Sequence, residues 1–307
     1  MTILIIFNQA DAEEFRNHLI ALSGCPDVRI WPNVGDPSDI ECVILWKQDE
    51  GLLGQFPNLK LIASYGAGVE NILYDTSIPD GVPVTRFVDD TLSDQMAEFV
   101  LAAILNHRLH ITHYRELQAA SHWRPGYFLK GKKVTILGMG ELGNCTATLL
   151  TTNGYKVSGW SRTEKNIVNV KSYFGDDQLN ISLKDADYVI CLLPLTPATT
   201  HILNSDLFKT MKTGAYLINV GRGDHLNEDD LLDALYKEQI SGALLDVFST
   251  EPLPDDHPFW RHPKIHITPH ISSPTDKVQV AIQILENYKR MKAGQSLINQ
   301  VDPKRSY

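Results

Sequence analysis

The chain has 307 residues, 43% of them hydrophobic and 21% charged, with a formal net charge of -9. That length exceeds what one hydrophobic core usually organises, so two domains are expected. The acidic balance argues against binding along nucleic acid or an anionic membrane surface, and no apolar run reaches the ~18 residues of a membrane helix. The four cysteines, Cys25, Cys42, Cys145 and Cys191, fall at no metal-ligand spacing and read as reduced thiols.

The short apolar start, Ile3–Phe7, lacks a basic flank and reads as a first strand rather than a signal peptide. A helix from about Ala12 follows. Val28–Trp31, Val43–Trp46 and Leu61–Ser64 are further strands, the last running into the small-residue loop Tyr65-Gly66-Ala67-Gly68. Met96, Phe99, Val100, Ala103, Ile104 and His107 recur at helical spacing, which predicts one long helical stretch over 93–120. A loop carrying Trp123-Arg124-Pro125-Gly126 comes next.

A second run of strands opens at Lys132–Leu137. Lys156–Trp160, Tyr188–Leu193, Tyr216–Asn219, Gly242–Asp246 and Ile265–Thr268 continue it, and a last helix is expected over about 276–291. Strands alternating with helices mark an α/β chain with parallel sheets. The expectation is two doubly wound, Rossmann-like domains with an active-site cleft between them. The first is discontinuous, 1–100 plus 271–307, and binds substrate. The second, 101–270, binds a dinucleotide.

The strand Lys132–Leu137 feeds Gly138-Met139-Gly140-Glu141-Leu142-Gly143, and a helix follows. In this context the pattern G-x-G-x-x-G is a dinucleotide fingerprint. Its glycines allow the tight turn, the approach to a pyrophosphate, and close helix–strand packing. The helix N-terminus offers free N–H groups to the phosphates. The next strand ends in Trp160-Ser161-Arg162-Thr163, with no carboxylate where a ribose 2′-hydroxyl would need one. Ser161, Arg162 and Thr163 suit a 2′-phosphate instead, so NADPH is the expected cofactor, with NADH possible.

Three later strands each deliver polar residues beyond their carboxyl ends, where open α/β sheets place their sites. They are Asn219–Gly223, Asp246–Pro252 and Thr268–His270. Arg222 suits a substrate carboxylate and polarises the adjacent carbonyl. His270 suits general acid catalysis, with Glu251 behind it to keep it protonated. Asp246 is read as a hold on the nicotinamide. Taken singly each has a plain structural reading: a surface histidine, a solvated turn arginine, a loop carboxylate. Their order beside the fingerprint makes the catalytic reading the better one. His257, His262 and His266 do not match a metal-ligand set and are expected to be surface histidines; no metal is expected.

These motifs, with Gly66-Ala67-Gly68-Val69-Glu70 and Leu193-Pro194-Leu195-Thr196-Pro197, resemble the D-isomer-specific 2-hydroxyacid dehydrogenases over nearly the whole chain. Trp160–Thr163, Gln95–Glu98, Ser121-His122-Trp123 and Glu251–Pro254 are most similar to the glyoxylate/hydroxypyruvate reductase A branch. The resemblance implies an oxidoreductase with Arg222, Glu251 and His270 as its catalytic set. It further implies that Ala67 and Gly68 donate backbone N–H groups to the substrate carboxylate. Leu193, Pro194, Val220 and Gly221 are counted with the cofactor site, and Trp46 is read as a wall of the substrate pocket.

The implied reaction is NADPH-dependent reduction of glyoxylate or hydroxypyruvate by a cytoplasmic homodimer, joined through the long helix and the Trp123 loop. A broader reductase for bulkier keto acids such as phenylpyruvate is the near alternative. A dinucleotide-sensing binding protein is the distant one. Ile271-Ser272-Ser273-Pro274-Thr275-Asp276 departs from the branch, which tends to carry alanines and an Arg-containing turn there. The departure bears on substrate preference and leaves the catalytic set untouched.

Overall fold

The computed structural model describes residues 2–7, 9–23, 27–126 and 128–302. Cys25, one of the four expected thiols, lies outside them. Cys42 and Cys191 are buried, and Cys145 is partly buried; all three are free. The chain divides into two compact units, 1–89 with 275–307, and 90–274.

The first unit runs β1 (Thr2–Ile6), α1 (Gln9–Ser23), β2 (Asp27–Ile30), β3 (Cys42–Leu45), β4 (Leu61–Ser64), α2 (Glu70–Leu73) and β5 (Val84–Thr85). Its five-stranded sheet has the order β2-β1-β3-β4-β5, and the pairings are parallel. Every residue of β1, β3 and β4 is buried. Such unbroken apolar runs are what parallel strands covered on both faces require.

The second unit begins with α3 (Asp90–Leu109) and α4 (Ile111–Ala119). The single helix expected over 93–120 is therefore two. The chain breaks at His110, which sits in the left-handed region at φ 56°. The expected domain crossing at 100/101 falls inside α3, and all of that helix belongs to the second unit. There α3 packs against α5 (Glu141–Thr152) through a face that includes Met96, Val100, Ala103 and Ile104.

The remaining elements, in order around α5, are β6 (Lys133–Leu137), β7 (Lys156–Ser161), β8 (Val170–Phe174), α6 (Asp176–Leu183), β9 (Tyr188–Cys191), α7 (Ser205–Thr210), β10 (Ala215–Asn219), α8 (Glu228–Tyr236), β11 (Ile240–Leu245) and β12 (Ile265–Ile267). The seven strands lie in the order β12-β11-β10-β9-β6-β7-β8, with parallel pairing throughout. The strand order reverses between β6 and β9, and a doubly wound sheet binds its ligand beyond the carboxyl ends at such a point.

Beyond the second unit the chain returns to the first as α9 (Lys277–Lys292), which packs on α1. The departing residue Asp276 has a structural task here. It caps α9, its side chain accepting from the N–H groups of Val278 and Gln279. Glu41 ties the helix down: it accepts from the Tyr288 hydroxyl at 2.8 Å and from Lys292 Nζ at 3.0 Å, and Lys60 Nζ reaches it at 2.8 Å.

Candidate active site

The reversal point is built by backbone contact. Gly138 has φ 103°, and a Cβ there would fall 2.5 Å from the Leu192 carbonyl oxygen in the loop after β9. A Cβ on Gly143 would fall 2.0 Å from the Gly138 oxygen, so the first turn of α5 can press on the loop only without one. Nothing lies within 4 Å of where a Cβ on Gly140 would be. Gly140 is also the N-cap of α5 and caps it with no side-chain hydrogen bond. Open space therefore faces the positive end of a twelve-residue helix, a fit for a pyrophosphate.

The other expected cofactor residues divide by side chain. Met139 and Leu193 are buried among core residues and Leu142 packs against them, so these offer backbone or apolar surface. Val220 is buried too, and the Gly221 N–H donates to Asn219 Oδ1 at 3.3 Å. At the end of β7 the Ser161 hydroxyl donates to the Thr163 carbonyl at 2.8 Å, holding the turn that exposes Arg162 and Thr163. Pro194 is exposed beyond β9.

Arg222, Glu251 and His270 are brought together by contacts between the loops that carry them. A Cβ on Gly223 would lie 1.8 Å from the Phe248 carbonyl carbon, so the loop after β10 rests on the backbone of the loop after β11. The Phe248 N–H in turn donates to Glu251 Oε1 at 2.9 Å. The second carboxylate oxygen, Oε2, meets His270 Nδ1 at 2.7 Å. Burial pushes the Glu251 carboxyl up, but the hydrogen bonds from His270 and Phe248 and the charges of His270 and Arg222 outweigh it. The group is held below the ordinary carboxylate range. An ionised carboxylate only accepts, so Nδ1 carries the proton in this pair. Both side chains are about a third exposed, at 36% and 35%, so the ring remains open to a ligand.

His270 stands in the left-handed region at φ 53°, which non-glycine residues rarely adopt. Asp246, fully buried, holds the turn in that shape. Its Oδ1 accepts from the Thr268 hydroxyl at 2.5 Å and the Ile271 N–H at 2.9 Å, and its Oδ2 from the Ser272 N–H at 2.9 Å. Sequence reading gave Asp246 to the nicotinamide and did not foresee this task. The signal was a buried carboxylate position one strand-end before a Pro-His turn. Ser272 and Ser273 also find internal partners: Ser272 is buried, and the Ser273 hydroxyl donates to the Leu92 carbonyl at 2.8 Å.

Three histidines expected at the surface are partly buried instead. His257 Nε2 lies 3.1 Å from Glu228 Oε2, and its Nδ1 accepts from the Phe259 N–H. His262 Nδ1 accepts from the Lys264 N–H, and His266 is half-buried at the end strand. Burial lowers the pKa of both His262 and His266. No group of three or more potential metal ligands occurs among the described residues.

In the first unit, Trp46 follows β3 and brings the edge of its indole against Gly66, where a Cβ would fall 1.9 Å from the ring. Ser64 Oγ accepts from the Gly66 N–H and donates to the Gly68 carbonyl. The loop is closed by those two bonds, neither of which uses the N–H of Ala67 or Gly68.

Residues 101–272 match the model of the D-isomer specific 2-hydroxyacid dehydrogenase NAD binding domain. A glyoxylate/hydroxypyruvate reductase A from Serratia proteamaculans is 39% identical over 309 residues, covering 98% of each chain. Among solved structures, a D-isomer specific 2-hydroxyacid dehydrogenase from Xanthobacter autotrophicus in complex with NADPH and MES superposes with TM-score 0.90 at 36% identity, covering 99% of both chains. An NADPH-dependent glyoxylate/hydroxypyruvate reductase from Sinorhizobium meliloti with NADP and sulfate gives 0.92 at 33% identity over all of both. The chain belongs to the D-isomer-specific 2-hydroxyacid dehydrogenase family. Among its described residues, no helix is long and apolar enough to cross a membrane.

Proposed function

We propose that this protein reduces a small 2-keto acid of the glyoxylate and hydroxypyruvate kind to the D-2-hydroxy acid, with NADPH as the reductant. The carrying observation is the Glu251–His270 pair, held at the carboxyl ends of the strands beside Arg222. The 33–39% identity to reductases described in those terms supports the reading.

The cofactor, when bound, supplies a hydride from its nicotinamide ring. The N–H groups at Gly138–Gly143 would hold its pyrophosphate, with Glu141 in the first turn of α5. Ser161, Arg162 and Thr163 would surround the 2′-phosphate, the guanidinium pairing with it and the Ser161 hydroxyl bracing the turn. Leu193, Pro194, Val220 and Gly221 would line the nicotinamide half.

Arg222 binds the substrate carboxylate and draws charge from the carbonyl. His270 gives a proton from Nε2 to the carbonyl oxygen, which would otherwise become an alkoxide. Glu251 keeps Nδ1–H in place throughout, so the ring neither rotates nor loses the wrong proton. Ala67 and Gly68 are assigned to the substrate carboxylate through their N–H groups, and Trp46 to the shape of the pocket.

A cytosolic homodimer belongs to the same reading. Helix α4 has no buried residue, and Trp123 is 97% exposed beside it. A bare indole of that size is a typical interface anchor. Trp123→Asp is expected to turn a dimer into a monomer in size-exclusion chromatography with light scattering.

The direct test is loss of nicotinamide absorbance with NADPH or NADH against glyoxylate, hydroxypyruvate and phenylpyruvate. Rapid NADPH oxidation by the first two supports the proposal. Turnover confined to phenylpyruvate moves it to a bulky-substrate reductase. Dinucleotide binding without turnover on any keto acid removes it.

A further inference from the structure

Two buried polar side chains beside the site have no part in the chemistry above: Asn219 at the end of β10 and His225 three residues beyond Arg222. Both have no exposed surface. A buried polar group costs stability unless it is hydrogen-bonded, so its partners reveal its task.

Those partners include both backbone groups of Arg222, beside the Cys191 Sγ at 3.6 Å from His225 Nδ1. His225 Nδ1 accepts from the Arg222 N–H at 3.0 Å. Asn219 Nδ2 donates to the Arg222 carbonyl at 3.0 Å, while its Oδ1 accepts from the Gly221 N–H at 3.3 Å. The arginine's own Nη1 donates to the Gly221 carbonyl at 2.8 Å. The imidazole fits because Gly221 has no side chain; a Cβ there would lie 3.0 Å from His225 Nδ1. On the far side, Gly223 rests on the Phe248 backbone. The residue carrying the guanidinium is thus held at its N–H, its carbonyl and both flanking glycines, in extended geometry with φ -139° and ψ 154°.

We propose that His225 and Asn219 are positioning residues that clamp the Arg222 backbone, and so set where the guanidinium meets the substrate carboxylate. The proposal rests on the reading of Arg222 as the carboxylate-binding group. A bidentate cation discriminates by geometry, and a displacement of about 1 Å at a binding group costs on the order of 100-fold. The clamp acts first on substrate through Arg222, and only through Gly221 does it touch the residues assigned to the nicotinamide half.

The experiment is a double-mutant cycle in the full-length enzyme, read by the KM for glyoxylate, the Kd for oxamate (an unreactive carboxylate analogue), and the Kd for NADPH. His225→Leu removes the acceptor and should raise the glyoxylate KM and oxamate Kd by about 10- to 100-fold. NADPH binding should change by less than about twofold. His225→Asn, whose Oδ1 can replace Nδ1 as acceptor, should restore most of the loss. In an Arg222→Ala background, His225→Leu should add less than about twofold, because the group it positions is gone. Should His225→Leu fail to fold, Asn219→Ser breaks the other arm and runs the same cycle.

Equal losses with and without Arg222 would overturn the clamp and leave His225 a general stabiliser. So would normal oxamate affinity in His225→Leu, or failure of His225→Asn to recover function. Arg222→Ala binding oxamate normally would instead refute the underlying role of Arg222, a result visible before the second mutation is made.

Discussion

Replacing Asp246 by Asn tests whether His270, the proposed general acid, is held by its turn. The carboxylate takes three donors: the Thr268 hydroxyl, the Ile271 N–H and the Ser272 N–H. An asparagine in the same rotamer keeps Oδ1 for two of them and sets an amide N–H against the Ser272 N–H. Leaving that buried donor unsatisfied costs about 1–3 kcal/mol, and turning the other two bonds from charged to neutral costs about 1 kcal/mol more. The sum, about 2–4 kcal/mol, should lower the melting temperature by roughly 5–12 °C in a unit of this size. His270 depends on the same turn for its left-handed backbone, so turnover should fall about 100-fold with saturating NADPH and glyoxylate. Scanning calorimetry and steady-state rates decide it. A variant that keeps its melting temperature within ~1 °C and its turnover within about twofold refutes the argument. One that keeps its melting temperature but loses NADPH affinity shows that Asp246 serves the nicotinamide directly.

His270→Ala should cut turnover by at least ~100-fold, the usual scale of general acid catalysis, and leave NADPH affinity close to native in a fluorescence titration. Arg162→Ala should weaken NADPH by about 1.5–3 kcal/mol and spare NADH, and equal losses would take the arginine off the 2′-phosphate. Glu41→Gln probes the first unit alone. Hydrogen bonds from Lys60 and Lys292 outweigh burial and, with Tyr288, hold Glu41 down to about 2 from its ordinary 4.5. The folded pKa is the depressed one, so the stabilisation is present above pH 4.5 and is lost as pH falls toward 2. The variant should be less stable by about 1–2 kcal/mol at neutral pH after solvent screening. Denaturation curves of the two proteins should converge in that acid window, and a difference that persists below it would point to lost packing.

The second sheet was legible because its signals are local. A buried parallel strand is a short apolar run, and β6, β9, β10 and β11 each show one. What escaped was weaker in kind. Val170–Phe174 forms the edge strand β8 with no fully buried residue, and Val84–Thr85 pairs over only two positions. The break at His110 escaped because the apolar spacing that predicts a helix says nothing about one left-handed residue inside it. The motif residues Arg222, Glu251 and His270 were legible as types at strand ends. Their support was not: the side chains of Asn219 and His225 bond to the backbone of Arg222, Phe248 acts through its own N–H, and nothing in a side-chain pattern reports which backbone group a side chain will meet.

That distinction explains how the loops divide their work. Each side chain of the proposed set is held by a different group: Asp246 takes the turn of His270, His225 and Asn219 take the backbone of Arg222, and the Phe248 N–H donates to the Glu251 carboxylate. Because Gly223 rests on Phe248, the arginine loop and the glutamate loop cannot shift independently. The three loops thus form one connected frame, through Gly223 on Phe248 and Glu251 on His270. Substitutions in the frame should therefore act on catalysis more than their distance from the reacting atoms suggests, and less on NADPH binding, whose pyrophosphate end is assigned to the loop after β6.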